Sequence, residues 1–379
     1  MTSSSDVIVI GAGAIGAAVA WRCAQRGMAV TVVDPEPHRG AWHTAAGMLA
    51  PVTELHYTEA PLLRLNLESL RRYPDFAAEL SSVTGLKTGY QECGTVSVAW
   101  DGADLAALRD LHEFGRELGL ASRLLTGREL RELEPALAAG LPGGLLAEDD
   151  HQIEPRLLHA ALLAAAEACG VQTVRATAAL ELSGDRAVGV RLDDGTRLGS
   201  GTVVLAAGAW SAGVAGLPLA AVPSVRPVKG QTLRLRLAGD DRLKRVVRGT
   251  VKGSPIYLVP RADGRLAVGA SSEEAGFDQA PRAGAVYELL RDAQSIFPEL
   301  SEAVLEEVCT GLRPASPDNA PLVGPSGLDG LLHASGHYRN GILLAPVTAD
   351  GVAELIATGA LPDVLAPFTP ARFAAAVPA

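Results

Sequence analysis

Aromatic residues are scarce in this chain, 4% of 379 residues. A surface that reads single-stranded nucleic acid stacks bases on aromatic rings, so that partner class is disfavoured. Basic residues are in the minority too, 33 Lys and Arg against 43 Asp and Glu, for a net charge of −10. Phosphate backbones are met by clustered Lys and Arg, so no nucleic-acid partner is expected. Cysteine is limited to Cys23, Cys93, Cys169 and Cys309, with no CxxC pair. Neither a zinc site nor a disulfide framework is indicated, and no metal is expected. Reduced thiols fit a cytoplasmic protein. Long apolar runs are also missing. The stretch Val7 to Ala20 is broken by three glycines and is too short to span a bilayer. The start, "MTSSSDVIVIGAG", lacks the basic n-region of a signal peptide. The expectation is a soluble chain without a membrane partner.

Apolar residues make up 48% of the chain, enough for sizeable cores, and the length suits two domains. The most informative stretch is "DVIVIGAGAIGAAVAWRCAQRGMAVTVVDP". Val7 to Ile10 is a β-branched apolar run, as in a buried parallel strand. Gly11, Gly13 and Gly16 follow in GxGxxG spacing. The first allows a tight turn, the second lets backbone approach a pyrophosphate, and the third lets a helix pack close on the strand. A helix over about 14–25, opening with Ala14 and Ile15, offers its N-terminal amides to the phosphates. A second strand closes on Asp34 and Pro35. A carboxylate there accepts hydrogen bonds from ribose hydroxyls. The pattern indicates a dinucleotide and does not by itself choose between FAD and NAD.

Further along, "HTAAGMLAP" is small and apolar, and reads either as a loop that lets a flat ring approach the backbone or as a helix start capped by Thr44. Leu105, Leu108, Leu111 and Leu118 recur near helical spacing and read as a core face. Thr126 and Glu129 form a capping-box signature. "IEPRLLHAALLAAAEACGVQTV" reads as a helix with Pro155 in its first turn and Gly170 at its end, followed by a strand. "GTVVLAAGAWS" is a second buried strand whose small carboxyl end, Ala207 and Gly208, sits where α/β folds bind ligands, with Trp210 able to cover it. Residues 222–270 change to period-two alternation, as in "VRPVKGQTLRLRL", with hairpin signals such as Asp263-Gly264. Tyr257 falls on the face opposite Ile256 and Leu258. The chain then returns to strand, Gly-rich loop and helix in "DGLLHASGHYRNGILLAPVTADGVAELIATG", with Gly341 placed to open the helix.

The motifs "VIVIGAGAIG…VVD", "VVLAAGAWS", the arginine of "TGLRPASPDNAPLVG" and "GHYRNGILLAP" occur in that order along nearly the whole chain. Together the chain resembles the D-amino-acid oxidase family of FAD enzymes, with most similarity to its glycine oxidases of thiamine biosynthesis. The resemblance implies a fold class: α/β, a Rossmann-like FAD-binding domain (1–50, 145–220 and 310–379) with an inserted antiparallel β-rich substrate domain (51–144 and 221–309). It implies non-covalent FAD, since the spacing of Cys309 does not suit a covalent link. Gly11, Gly13, Gly16 and Asp34 would hold the ADP half. Ala45, Ala46, Gly47 and Met48, with Ala207, Gly208 and Trp210, would line the path to the isoalloxazine. Gly336, Asn340, Gly341, Ile342 and Leu343 would meet the flavin with backbone amides. Arg313 would bind a substrate carboxylate, assisted by Tyr257 and Arg339; read alone, Arg313 serves equally as a structural ion pair. The implied activity is oxidation of glycine, and of sarcosine or small D-amino acids, with oxygen as acceptor. A dehydrogenase using another acceptor and a non-catalytic flavin protein are the alternatives. A homo-oligomer is implied by the family alone. His337 is a loop histidine and is not assigned as a base. Ser254 and Pro255, before Tyr257, and Ser272 depart from the family pattern, which leaves the preferred substrate size open.

Overall fold

The strand Ser4–Ile10 becomes fully buried from Val7 onward and pairs in parallel with both Val30–Val33 and Arg197–Leu205. These three are the centre of an eight-stranded sheet. It continues in parallel to Gln172–Val174 on one side and Leu331–Ser335 on the other. Burial on both faces explains the uninterrupted Val, Ile and Leu of the central strands. An antiparallel extension, Ala178–Ser183 with Arg186–Leu192, joins Arg197–Leu205 through turns at Gly184-Asp185 and Asp194-Gly195, dipeptides that favour hairpin turns. The structure, a computed structural model, describes residues 4–237 and 242–376.

The helix Ala14–Gln25 starts where the glycine spacing places it. A Cβ at Gly16 would overlap the carbonyl of Gly11, and Gly11 itself has φ +107° against Ala206. Only glycine lets helix and strand approach this closely. Three separate stretches of chain therefore build this sheet: 4–33, 172–205 and 322–335.

A second eight-stranded sheet is mostly antiparallel, with Val304–Ala315 at one edge beside Arg226–Arg236, then Arg265–Gly269, Ser254–Pro260, Val246–Val251 and Thr95–Ala99. Val246–Val251 and Thr95–Ala99 run parallel, and Gly143–Ala147 and Arg123–Thr126 complete the sheet antiparallel. The capping box at Thr126 is present, with Thr126 Oγ1 accepting from the Glu129 amide.

Sheet membership departs from the sequence boundaries in three places. The helix Ala60–Thr84, assigned to the inserted region, packs Leu65, Tyr73, Phe76 and Leu80 into the core with Val7, Val9 and Val204 of the first sheet. Val304–Ala315, which straddles residue 309, belongs wholly to the second sheet, as does Gly143–Ala147. A chain position cannot reveal which sheet a segment's apolar face will meet. Two local readings also change. Thr44 ends the short helix Ala41–Thr44 rather than starting one. The C-terminal helix begins at Ala345, after a turn that contains Gly341. Leu105, Leu108 and Leu111 are half-buried and Leu118 is exposed, so this stripe is no core face.

Candidate active site

A cavity of about 1090 Å³ separates the two sheets and runs from Gly13 and Asp34 to Arg313. At its first end the helix Ala14–Gln25 points its N-terminus inward with no side-chain cap, so its leading amides are free for an anion. A Cβ added at Gly13 would meet nothing nearer than Trp42 at 3.9 Å, which leaves the wall open to a close-lying group. Ala14, Ile15 and Pro35 line the same end. Asp34 accepts from the amides of Ala12 (2.7 Å) and Glu36 (2.8 Å), and these bonds hold the carboxylate at the strand end. Lone pairs remain for ribose hydroxyls. Trp42, on the wall, has a buried Nε1 without a hydrogen-bond partner. An uncapped helix terminus, an aimed carboxylate and an orphaned donor fit a dinucleotide such as FAD.

The middle of the cavity is lined by Ala45, Ala46, Gly47 and Met48 on one side and Ala207, Gly208 and Trp210 on the other. Gly47 has φ +77°, and a Cβ there would overlap the Ile153 carbonyl. Gly341 and Ile342 reach the wall with Tyr338 and Arg339. Gly336, Asn340 and Leu343 do not line it. They stand behind it: Gly336 faces Leu322, and Asn340 and Leu343 are buried. The carbonyl of Leu343 accepts from Ser69 Oγ at 2.6 Å and that of Ile342 from Tyr73, so a helix distant in sequence fixes this loop.

The far end holds Arg313 and Tyr257. Arg313 Nη1 donates to the carbonyls of Ser271 (3.1 Å) and Lys229 (3.5 Å). Among the described residues it has no carboxylate partner, so the structural ion pair is not what it makes. Its guanidinium lies against Gly230, where any Cβ would overlap it. The Tyr257 ring lies against Gly269 in the same manner, and its hydroxyl bonds to no described residue. Burial pushes the Tyr257 phenol above its ordinary value, while Arg313 and Arg234 pull the other way. The net upward shift keeps the hydroxyl a donor at neutral pH.

Arg339 differs from Arg313. It pairs with Glu59 (3.4 Å) and Glu54 (3.7 Å), and Arg248 also bonds Glu54. Burial alone would raise the Glu54 carboxyl, but Arg248 and Arg339 hold it below its ordinary value. These charges neutralise one another, so among the described residues Arg313 is the cation on this part of the wall without a carboxylate; Arg234, buried behind the wall, also lacks one and donates to the carbonyls of Thr44 and Ala45. His337 is buried, pushed down to about 3, and faces Thr348 Oγ1 at 3.0 Å, so it is neutral.

Sequence reasoning missed Gly230, Ser271, Lys229, Arg248 and Glu54. Lys229 is fully buried. Its ammonium donates to the Ala280 carbonyl at 2.5 Å and lies 3.5 Å from Glu273 and 3.7 Å from Asp278. Gln231 adds a bond to Glu273 at 2.6 Å and accepts from the Arg282 amide at 2.8 Å. The segment 271–282 is thereby tied down beside Arg313. The available signal was a lysine inside a strand otherwise able to bury that face, at "PVKGQ".

A profile of the FAD dependent oxidoreductase family, DAO, matches residues 6–355. The chain is 34% identical to a glycine oxidase of Geobacillus kaustophilus over 98% of each chain. The crystal structure of glycine oxidase from that organism superposes with a TM-score of 0.87, covering 97% of this chain and 98% of the other. The bifunctional protein ThiO/ThiG of Synechocystis sp. is 35% identical over 98% of this chain, which spans about half (55%) of that relative's length. The hydrogen cyanide synthase subunit HcnC of Pseudomonas aeruginosa is 29% identical over 98% of this chain and 97% of its own. The chain belongs to the FAD-dependent oxidoreductase family, and its cofactor is FAD.

Proposed function

We propose that this FAD enzyme oxidises glycine, and sarcosine or small D-amino acids, with oxygen as acceptor. The observation that carries the reading is the unpaired guanidinium of Arg313 facing the cavity beside the free hydroxyl of Tyr257. A guanidinium matches a carboxylate with two parallel hydrogen bonds and stays charged when partly buried. Two carbonyls hold one Nη, and the remaining donors of this cavity-lining side chain bond to no described residue. Tyr257 donates to the second carboxylate oxygen. The cavity wall offers one cation not already matched by a carboxylate, which suits a monocarboxylate. Arg339 assists by fixing Glu54 and Arg248 at the wall.

The bound FAD supplies the acceptor for a hydride from the substrate α-carbon. The protein's contribution is orientation, which alone supplies a large share of a rate enhancement. No residue on the wall is assigned as a base, so the substrate amine reacts in its neutral form. The imine would take up water to give glyoxylate and ammonia, and oxygen, accepting the two electrons and two protons removed from glycine, would leave as hydrogen peroxide. The similarity to ThiO supports a place in the thiazole branch of thiamine biosynthesis, where the imine is itself the useful product.

FAD is held non-covalently. Cys309 is off the cavity wall, its thiol is pushed up by burial, and its sulfur accepts from Arg156 at 3.3 Å. Acid precipitation is expected to leave the yellow colour in the supernatant, and a yellow pellet would refute this. The similarity to HcnC keeps a second reading, a dehydrogenase with another acceptor. Oxygen uptake recorded with the absorbance spectrum on glycine, sarcosine, D-alanine and D-proline tests the function. Uptake with ammonia release supports an oxidase. Bleaching without uptake indicates the dehydrogenase, and no bleaching removes the substrate class.

A further inference from the structure

The helix Gly102–Glu117 carries Leu105, Leu108, Leu111 and Phe114 at intervals of three, a stripe that winds across half its circumference, with Leu108 and Leu111 about 60° apart near its middle. Such a stripe ordinarily buries against a core. Here all four are only half-buried, and Gly115 is the one buried residue of the helix. Leu108 and Leu111, with Ala107 and Asp104, line the site cavity. The lining also includes the half-buried Thr250 and the exposed Pro255, which pair with each other across neighbouring strands and so mark a part of the cavity open to solvent. They stand two residues from the paired Arg248 and Tyr257, on the same face of the sheet. Two residues along a strand are about 7 Å. The cavity therefore extends one pleat beyond the substrate-facing tyrosine into a largely apolar annexe.

Charge narrows what the annexe accepts. Arg248 at its entrance is already matched by Glu54. Asp104 accepts from the Trp100 amide at 3.1 Å and adds negative charge. A second carboxylate gains no free cation there and meets Asp104. A hydrocarbon chain gains contact with Leu108 and Leu111 and removes half-exposed apolar surface from water.

We propose that the annexe receives an unbranched, butyl-sized aliphatic substituent carried on the amine nitrogen or the α-carbon of the substrate. This rests on the amino-acid reading of Arg313 and extends it: glycine occupies only part of the site, and amino acids with an aliphatic arm fill it. Pro255, one of the positions where the sequence departs from the family pattern, forms part of the annexe wall.

The test uses the FAD-loaded enzyme. Turnover of glycine, N-methylglycine, N-butylglycine, D-norleucine and L-norleucine is followed by dye reduction, which registers either acceptor class. Binding of acetate and hexanoate is measured by calorimetry, independently of turnover. Burial of three further methylenes predicts a gain of roughly 10- to 50-fold in kcat/KM from N-methyl- to N-butylglycine, and burial of four predicts a larger gain, roughly 20- to 200-fold, from glycine to a norleucine and for hexanoate over acetate. Leu111→Asn is expected to erase that gain while leaving glycine turnover within about twofold. Thr250→Trp, which fills the annexe from the sheet side, does the same if Leu111→Asn does not fold. The arm that gains, N-butyl or norleucine, identifies the attachment atom. Chain-length independence in both turnover and binding overturns the proposal, as does an equal effect of the variants on glycine and on the long substrates. If no amine is oxidised but hexanoate still binds tighter in a Leu111-dependent way, the annexe stands and the amine reading falls.

Discussion

Arg313 Nη1 donates to the carbonyl oxygen of Ser271 at 3.1 Å. The cation proposed to meet the substrate is therefore aimed by the segment 271–282 beside it. Arg313→Ala is expected to keep FAD and to lose at least ~100-fold in kcat/KM for glycine, because the substrate carboxylate would be left without its partner. Tyr257→Phe removes one neutral donor and is expected to cost about tenfold. Steady-state kinetics on both flavin-loaded variants decides. Near-wild-type values for Arg313→Ala would take it out of the site.

Lys229 acts one step further back. Its carbonyl accepts from Arg313 while its ammonium holds Glu273, Asp278 and Ala280. Lys229→Met leaves the two carboxylates without their buried cation and loosens the segment. KM for glycine is expected to rise about tenfold, the equivalent of ~1.4 kcal/mol in binding, with kcat changed less. Lys229→Arg should restore part of the loss. A variant that binds glycine normally would separate this ion cluster from the site.

The glycines of the first turn are expected to fail in different ways. Gly16→Ala places a methyl group on the Gly11 carbonyl and should prevent stable folding. Gly13→Val has room for its Cβ and should fold, with lowered FAD affinity because the branched side chain enters the cavity. Expression yield and flavin titration of the two apoproteins distinguish the cases, and equal behaviour would contradict the assignment.

Acid should destabilise the protein. Burial pushes His159 and His333 down to about 4 and His337 to about 3. The unfolded chain takes up protons near 6.5, and the folded one resists until much lower pH. Stability from these groups is thus fully present above about pH 6.5 and lost as pH falls through 6.5 toward 4, by at most about 1.4 kcal/mol per pH unit for each imidazole. Asp150 opposes this, since burial lifts its carboxyl to about 6 and the folded state keeps that proton longer. Glu134, also raised by burial, acts in the same direction as Asp150, but three imidazoles outweigh two carboxyls. Urea midpoints at pH 7.5 and 5.0 should show the decline, and an unchanged or higher midpoint at pH 5.0 would refute it.

The dinucleotide end was legible because its requirements are local. Gly11, Gly13 and Gly16 act within one turn, and Asp34 ends the adjoining strand, so spacing along the chain reproduces spacing in space. The hairpins at Asp194-Gly195 and Asp263-Gly264 were readable for the same reason. Gly341 and Ile342 reached the cavity, whereas Gly336, Asn340 and Leu343 stood behind it. Within a loop, which residues meet the wall and which the core follows no fixed period and depends on what packs behind it, here Ser69 and Tyr73.

The sequence by itself determined the nucleotide-binding strand–turn–helix, the two kinds of sheet and the presence of an arginine in a suitable place. Each depends on residue type and short-range spacing. Only the tertiary structure decided that Arg313 lacks an acidic partner while Arg339 and Arg248 have one. Only it showed that Lys229 is buried beneath the site and that Leu108 and Leu111 face a cavity. Charge matching and the covering of an apolar face depend on which distant segments meet, and a single chain's spacing does not record those meetings.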